Sequence, residues 1–76
     1  KILLVDDDES LNRVVSYQLK QMGFKVTTAI DGTSALNLFK QHTFDIVITD
    51  LQLPGMSGMD LLTSIRHLDK DVIIII

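Results

Sequence analysis

The 76-residue sequence lacks cysteine and tryptophan and contains one proline and four glycines. Without cysteine the chain forms no disulfide and offers no thiolate to a metal ion. Its longest uninterrupted apolar run is residues 72–76, far short of the roughly 20 residues that cross a bilayer. The first residues do not resemble a signal peptide. A net charge of −3 argues against nucleic-acid binding by these residues. From the missing signal peptide and the missing membrane-length run, we expect a cytoplasmic domain without membrane contacts.

What is present is an alternation of two hydrophobic periodicities. Short apolar or β-branched runs at 2–5, 24–29, 45–49 and 72–76 predict four strands, and apolar residues at helical spacing between them predict three helices. Alternating strands and helices predict a parallel sheet with helices on both faces. The apolar stripes assigned to the three helices are Leu11, Val14, Val15, Leu19 and Met22; Ala35, Leu38 and Phe39; and Met59, Leu62, Ile65 and Leu68.

Acidic residues follow two of the predicted strands: Asp6 and Asp7 the first, and Asp50 the third. Ligands of such sheets gather beyond the carboxyl ends of the strands, so neighbouring strands would bring these carboxylates into one crevice. Converging carboxylates repel each other, and a divalent cation such as Mg²⁺, which prefers oxygen ligands, removes the conflict. We expect the pair to hold the metal and the isolated Asp50 to attack phosphorus, forming an aspartyl phosphate.

Three segments, ILLVDDDESL, TDLQLPGMSGMDLL and VIIII, resemble in their order and spacing the receiver domain of two-component response regulators. The resemblance covers the whole chain. It implies an α/β fold, a flavodoxin-like doubly wound parallel sheet of order 2-1-3-4-5 in the full domain. Residues 1–76 would then be a single, incomplete receiver domain with strands one to four and helices one to three, lacking the fourth helix, fifth strand and fifth helix.

The resemblance implies a role for each acidic motif residue. Asp50 matches the phosphoacceptor, and Asp6 and Asp7 match the pair that binds Mg²⁺. Gln52 matches the position whose backbone carbonyl completes the metal site. The family also places a Ser or Thr after the fourth strand and a Lys at the end of the fifth, and both positions lie beyond Ile76.

The remaining motif residues shape the loop after the acceptor. Pro54 and Gly55 match the turn of that loop, and Gly58 matches the glycine near the start of the third helix.

The implied function is phosphorelay signal transduction rather than enzymatic turnover. A sensor histidine kinase or phosphotransfer protein would donate the phosphoryl group, and the receiver would assist its own phosphorylation. The switch would then act on an output domain of the same chain or on a downstream protein. Likeness of LVDDDES and LQLPGMSGMDLL to receivers of the nitrogen-regulator type points to transcription regulation. A homodimer, in which the fourth strand finds a partner, is a further expectation.

Three alternatives stay open. A degenerate receiver would act as an unphosphorylated interaction module, which the intact acids disfavour and the Ser/Thr and Lys positions beyond the sequence leave open. An aspartyl-phosphate phosphatase would carry a second acid two residues after its nucleophile, where this chain has Gln52. A dinucleotide-binding domain would need a glycine fingerprint after the first strand, which is missing.

Overall fold

The computed structural model describes residues 1–76 as four strands and three helices in strict alternation. This confirms the predicted order of elements. No helix has the length and apolar character that crossing a membrane requires. In chain order the elements are β1 (Ile2–Val5), α1 (Glu9–Gln21), β2 (Val26–Ala29), α2 (Gly32–Gln41), β3 (Ile46–Thr49), α3 (Gly58–Leu68) and β4 (Ile73–Ile75).

All strand pairs are parallel, and the sheet order is β2-β1-β3-β4. Ile2 lies opposite Val26 of β2 and Ile46 of β3, and this register continues to the ends of the three strands. β1 is therefore an inner strand, and its carboxyl end lies between those of β2 and β3. The order is that of a flavodoxin-like sheet over its first four strands, as predicted.

The main hydrophobic core lies between the sheet and the helices α2 and α3. All four residues of β1 are buried, because helices cover both of its faces and strands flank both of its edges. On the other face, α1 packs against β1 and β2. The core cluster consists of Leu3, Val5, Ala29, Ala35, Phe39, Phe44, Val47, Leu61, Ile65 and Val72.

The prediction for the buried side of α3 is wrong in part. Leu61 and Ile65 are fully buried, whereas Met59 and Leu68 are 56% and 52% exposed. Met59 and Leu68 lie in the first and last turns of α3, at the margins of its contact with the core. The prediction for α2 is confirmed, since Ala35 and Phe39 are buried in the core cluster and Leu38 is partly buried against it.

The prediction for α1 is also wrong in part, since Val15 and Leu19 are partly buried but the other predicted members are not. The residues of α1 that are buried against the sheet are polar, Asn12 and Ser16, and the predicted members Leu11, Val14 and Met22 are exposed. The Asn12 amide donates hydrogen bonds to the Asp6 and Ala29 carbonyls at the ends of β1 and β2, which gives this side of the helix polar contacts with the sheet.

Helix boundaries follow from capping residues. Asp8 caps α1, and its Oδ1 accepts a hydrogen bond from the Leu11 N–H at 3.1 Å. Gly23 follows the C-cap Met22 and has φ of +96°, the left-handed conformation typical of a glycine that ends a helix. Ser57 caps α3, since its Oγ accepts from the Asp60 N–H at 3.1 Å.

Candidate functional site

Three acidic side chains converge beyond the carboxyl ends of β1 and β3. Val5 lies opposite Thr49 in the register, and the Asp50 N–H donates to the Val5 carbonyl at 3.3 Å. The residues that follow these two strands are therefore level with one another. One carboxylate oxygen from each of Asp6, Asp7 and Asp50 lies within 4.8 Å of the other two. The crevice expected from the sequence is present in the fold.

Asp6 is fixed by hydrogen bonds through both its backbone and its side chain. Its N–H donates to the Ala29 carbonyl of β2 at 3.1 Å, and its Oδ1 accepts from the Asp8 N–H at 3.0 Å. Asp8 in turn caps α1 through its Oδ1 and is not one of the acids that converge. The turn from β1 into α1 thus orients Asp6 toward the crevice and keeps Asp8 out of it.

Asp50 stands at the tip of β3 with its carboxylate exposed to solvent. Its Oδ1 accepts a hydrogen bond from the Gln52 N–H at 3.1 Å, and its Oδ2 accepts none within the protein. The buried Thr49 hydroxyl donates to the Asp50 carbonyl at 3.0 Å. One carboxylate oxygen is oriented by the loop, and the other is free to contact a ligand.

Gly58 lets the loop after Asp50 close tightly onto the start of α3. The Gly58 N–H donates to the Leu51 carbonyl at 2.9 Å. A Cβ on Gly58 would lie 2.5 Å from the Leu51 Cα and against the Asp50 carbonyl oxygen, distances that real side chains do not reach. The backbone carrying Asp50 therefore rests directly on α3, which restricts where the carboxylate can point.

The rest of the loop contains the turn at Pro54 and Gly55 and a contact with α2. Gly55 has φ of +78°, the left-handed conformation that glycine adopts without strain, and Pro54 beside it is exposed. Met56 then packs against Gly32 at the start of α2, where a Cβ would come within 2.8 Å of the Met56 Cβ. The loop is therefore seated on both α2 and α3. The Gln52 side chain is exposed, and its backbone amide is the group that meets Asp50.

The site is negative and has no basic partner. The single ion pair of the structure joins the Lys1 amino group to Asp45 at 2.7 Å, at the opposite end of the sheet. Three carboxylates at this separation repel one another. Carboxylate oxygens open to solvent are the ligands that Mg²⁺ prefers, because this ion keeps several waters and takes one or two protein carboxylates. The donor set of Asp6, Asp7 and Asp50 therefore fits Mg²⁺.

Two residues around the site escaped the sequence analysis. Asn12 is buried between α1 and the sheet and donates a hydrogen bond to the Asp6 carbonyl. Thr49 is buried next to Asp50 and donates to the Asp50 carbonyl. Hydrophobic periodicity assigns only apolar residues to the buried face of a helix, so it did not assign Asn12 to that face. The contact depends on β2 being the neighbour of β1, which the spacing of residues along the chain does not show.

Comparison with known protein sequences gives a single family. The sequence profile described as response regulator receiver domain matches residues 2–76. Chemotaxis protein CheY-3 of Vibrio cholerae is 48% identical over 67 residues, which cover 87% of this chain and 52% of CheY-3. The probable transcriptional regulator ycf27 of Guillardia theta is 43% identical over 75 residues, 99% of this chain and 29% of ycf27.

Solved structures give the same result. The response regulator protein TrrA from Thermotoga maritima, in complex with Mg²⁺-BeF, superposes with a TM-score of 0.91 at 36% identity, covering 96% of this chain and 64% of that chain. A structure of histidine kinase ThkA in complex with TrrA matches with a TM-score of 0.90 at 36% identity, covering 96% and 63%. The chain thus spans about half the length of CheY-3 and less than a third of ycf27.

Proposed function

Because this chain belongs to the response regulator receiver domain family, we propose that it accepts a phosphoryl group on Asp50 in a Mg²⁺-dependent reaction. Membership of the family makes it a two-component signalling domain. The observation that carries the proposal is the convergence of the Asp6, Asp7 and Asp50 carboxylates within 4.8 Å beyond β1 and β3. A carboxylate at a strand end with one oxygen free of hydrogen bonds is a suitable nucleophile when neighbouring groups neutralise the negative charge of the phosphoryl group.

Each site residue has a distinct task in the proposed transfer. Asp6, Asp7 and Asp50, with the Gln52 backbone carbonyl, would hold the ion, which supplies positive charge against the phosphoryl oxygens when bound. The Gln52 N–H holds the Asp50 Oδ1, so that Oδ2 faces the incoming phosphorus. The bond that forms joins Oδ2 to phosphorus, and the bond that breaks joins phosphorus to the imidazole nitrogen of a phosphohistidine donor.

The loop residues keep Asp50 in place during that transfer. Gly58 seats the backbone of the acceptor on α3, and Pro54 and Gly55 form the turn that leads to it. None of the three needs a side chain in the crevice.

The partners follow from the relatives by analogy. A complex of TrrA with histidine kinase ThkA supports a histidine kinase, or a phosphotransfer protein, as the donor for this chain. The name of ycf27 supports transcription regulation as the output, through a domain of the same chain or a downstream protein, and the nitrogen-regulator type is the narrower proposal. We place the protein in the cytoplasm, where such kinases phosphorylate their receivers. A homodimer stays a prediction.

Intact mass spectrometry after incubation with a small-molecule phosphodonor tests the proposal. We expect a single phosphoryl adduct with Mg²⁺, no adduct in EDTA, and no adduct on Asp50→Asn. Asp45→Asn is the matched control, because Asp45 precedes the strand that Asp50 follows and is also exposed. That variant should be phosphorylated like the parent protein.

Two results would contradict the proposal. An adduct of equal amount on Asp50→Asn would assign the acceptor elsewhere. A folded protein that gains no adduct under any condition would favour the unphosphorylated interaction module instead.

A further inference from the structure

A buried asparagine joins the helix α1 to the ends of two strands. Asn12 is 4% exposed and lies in the first turn of α1, on the side that faces the sheet. Its Nδ2 donates two hydrogen bonds, to the Asp6 carbonyl and to the Ala29 carbonyl, both at 3.0 Å. Asp6 follows β1, and Ala29 is the last residue of β2. Asn12 therefore contacts the same edge of the sheet at which the acidic residues converge.

The two carbonyls depend on Asn12 to different degrees. The Ala29 oxygen also accepts from the Asp6 N–H at 3.1 Å, so it keeps a partner without Asn12. The Asp6 oxygen accepts no backbone hydrogen bond, and Asn12 is its donor. Loss of the Asn12 amide would leave this one carbonyl, beside the acidic cluster, without a protein partner.

The amide of Asn12 is present for what it donates. Its Oδ1 is buried and has no hydrogen-bond partner, which is unfavourable for a polar atom. Both acceptors are carbonyl oxygens, so they require the Nδ2 end of the side chain and fix the orientation of the amide. The two hydrogen bonds that Asn12 donates to the strand ends offset the cost of its one unpaired oxygen.

We infer that Asn12 is a positioning residue for the acidic pair, an inference that rests on the proposed function. The Asp6 carbonyl belongs to the peptide that links Asp6 to Asp7, so its bond to Asn12 sets the plane of that peptide. The Asp6 N–H and Oδ1 are fixed separately, to Ala29 and to the Asp8 N–H. With the linking peptide fixed as well, both carboxylates leave the backbone in set directions toward the metal position.

Asn12→Leu separates this role from folding. Leucine branches at Cγ as asparagine does but is larger and donates no hydrogen bond, and it is a good helix former. We expect the Mg²⁺ dissociation constant to rise about tenfold, the size seen when groups that orient metal ligands are removed. The measurement is a Mg²⁺ titration followed by the amide NMR signals of Asp7 and Asp50, with the thermal midpoint recorded for each variant.

Ser16→Ala is the matched control, and Asn12→Ala is the second variant. Ser16 is buried on the same face one turn further along α1 and makes no bond to the site, so its variant should bind Mg²⁺ like the parent protein. Asn12→Ala, which removes the donor and leaves space, should weaken binding as Asn12→Leu does. It serves for the titration if leucine prevents folding.

The outcomes distinguish this inference from the proposed function. Unchanged affinity in a folded Asn12 variant, or equal weakening in Ser16→Ala, would overturn the positioning role while Mg²⁺ binding by the parent protein stands. Absence of Mg²⁺ binding by the parent protein would overturn the proposed metal site, and the inference with it.

Discussion

At the scale of single residues, the loop after Asp50 depends on two glycines for different physical reasons. Gly58 is needed for space, because its Cα lies against the backbone of Asp50 and Leu51. Gly55 is needed for its backbone angle, since it has φ of +78° and a Cβ there would have no neighbour within 4 Å. Alanine at the first position forces the loop off α3, and at the second it strains one residue.

We therefore predict that Gly58→Ala is more destabilising than Gly55→Ala. Overpacking against backbone at Gly58 should lower the free energy of unfolding by about 2–3 kcal/mol. The left-handed conformation at Gly55 should cost about 1 kcal/mol. Urea denaturation of both variants checks the order, with Gly23→Ala, also at positive φ in open space, as the control that should resemble Gly55→Ala. The reverse order would show that the loop is loosely seated.

The acidic residues were predictable from the sequence because each follows directly on a strand-like run. Asp6, Asp7 and Asp50 needed only the rule that parallel strands end at one edge. Asn12 and Thr49 were not predictable in this way. Their roles depend on which carbonyl lies beside which side chain, and that is decided by strand neighbours rather than by spacing along the chain.

At the scale of elements, two helices begin with caps of different chemistry. The Asp31 carboxylate caps α2 and accepts from the Ser34 N–H at 2.7 Å, whereas the neutral Ser57 caps α3. The hydrogen bond from the Ser34 backbone amide, with a further one from the Ser34 side chain, lowers the pKa of Asp31 below its ordinary value of 3.8. One cap is therefore sensitive to pH and the other is not.

The direction of the pH effect follows from linkage. Asp31 has a lower pKa in the folded than in the unfolded protein, so its contribution to stability is present above 3.8 and is lost as the pH falls through the folded value. We predict that Asp31→Ala destabilises the protein at neutral pH and that the difference from the parent shrinks in acid below about pH 4.

Ser57→Ala is the comparison for that prediction. It should lower the free energy of unfolding by about 1 kcal/mol, to the same extent at neutral and acid pH. Denaturant titrations of both variants across this pH range make the measurement. A pH-independent loss in Asp31→Ala would mean that its carboxylate does not cap α2 in its ionised form.

The number and order of elements followed from the sequence, but the buried faces of α1 and α3 did not. Strand runs and helical spacing are local properties, so they survive without knowledge of the neighbours. The face that a helix buries also depends on where it sits on the sheet. Asn12 and Ser16 are the buried residues of α1, and the Asn12 amide donates hydrogen bonds to carbonyls at the ends of β1 and β2. The periodicity of apolar residues does not predict such polar contacts.

At the scale of the whole molecule, the acidic cluster would connect the proposed metal binding to global stability. The carboxylates repel one another in the metal-free protein, and the repulsion disappears on unfolding because Asp7 and Asp50 separate. An ion that binds the folded chain alone stabilises it by mass action. Mg²⁺ should therefore raise the thermal midpoint. Removal of one carboxylate should lower the repulsion and so give part of the same stabilisation without the ion.

We predict that Asp7→Asn is more stable than the parent protein in EDTA, by up to about 1 kcal/mol for exposed charges within 4.8 Å of one another. In saturating Mg²⁺ the order should reverse. The parent protein gains about 2.7 kcal/mol when the free ion is at about 100 times its dissociation constant, and the variant gains less. Thermal unfolding with and without Mg²⁺ makes the comparison.

Asp71→Asn is the control, because it removes one exposed negative charge after α3, away from the cluster. It should respond to Mg²⁺ like the parent protein. An equal response of the parent and Asp7→Asn would show that the ion does not bind among these acids.

The inner position of β1 also has a consequence for the order in which the protein folds during synthesis. β1 is made first, yet its two partners arrive at different times, since Ile2 pairs with Val26 and later with Ile46. Closing the longer span adds only about 0.6 kcal/mol of chain entropy per doubling of its length. A nascent chain can therefore join β1 to β2 while Asp50 is still unmade. The repulsion that Asp50 adds to that within the pair of Asp6 and Asp7 enters only with β3, when most of the core is available to offset it.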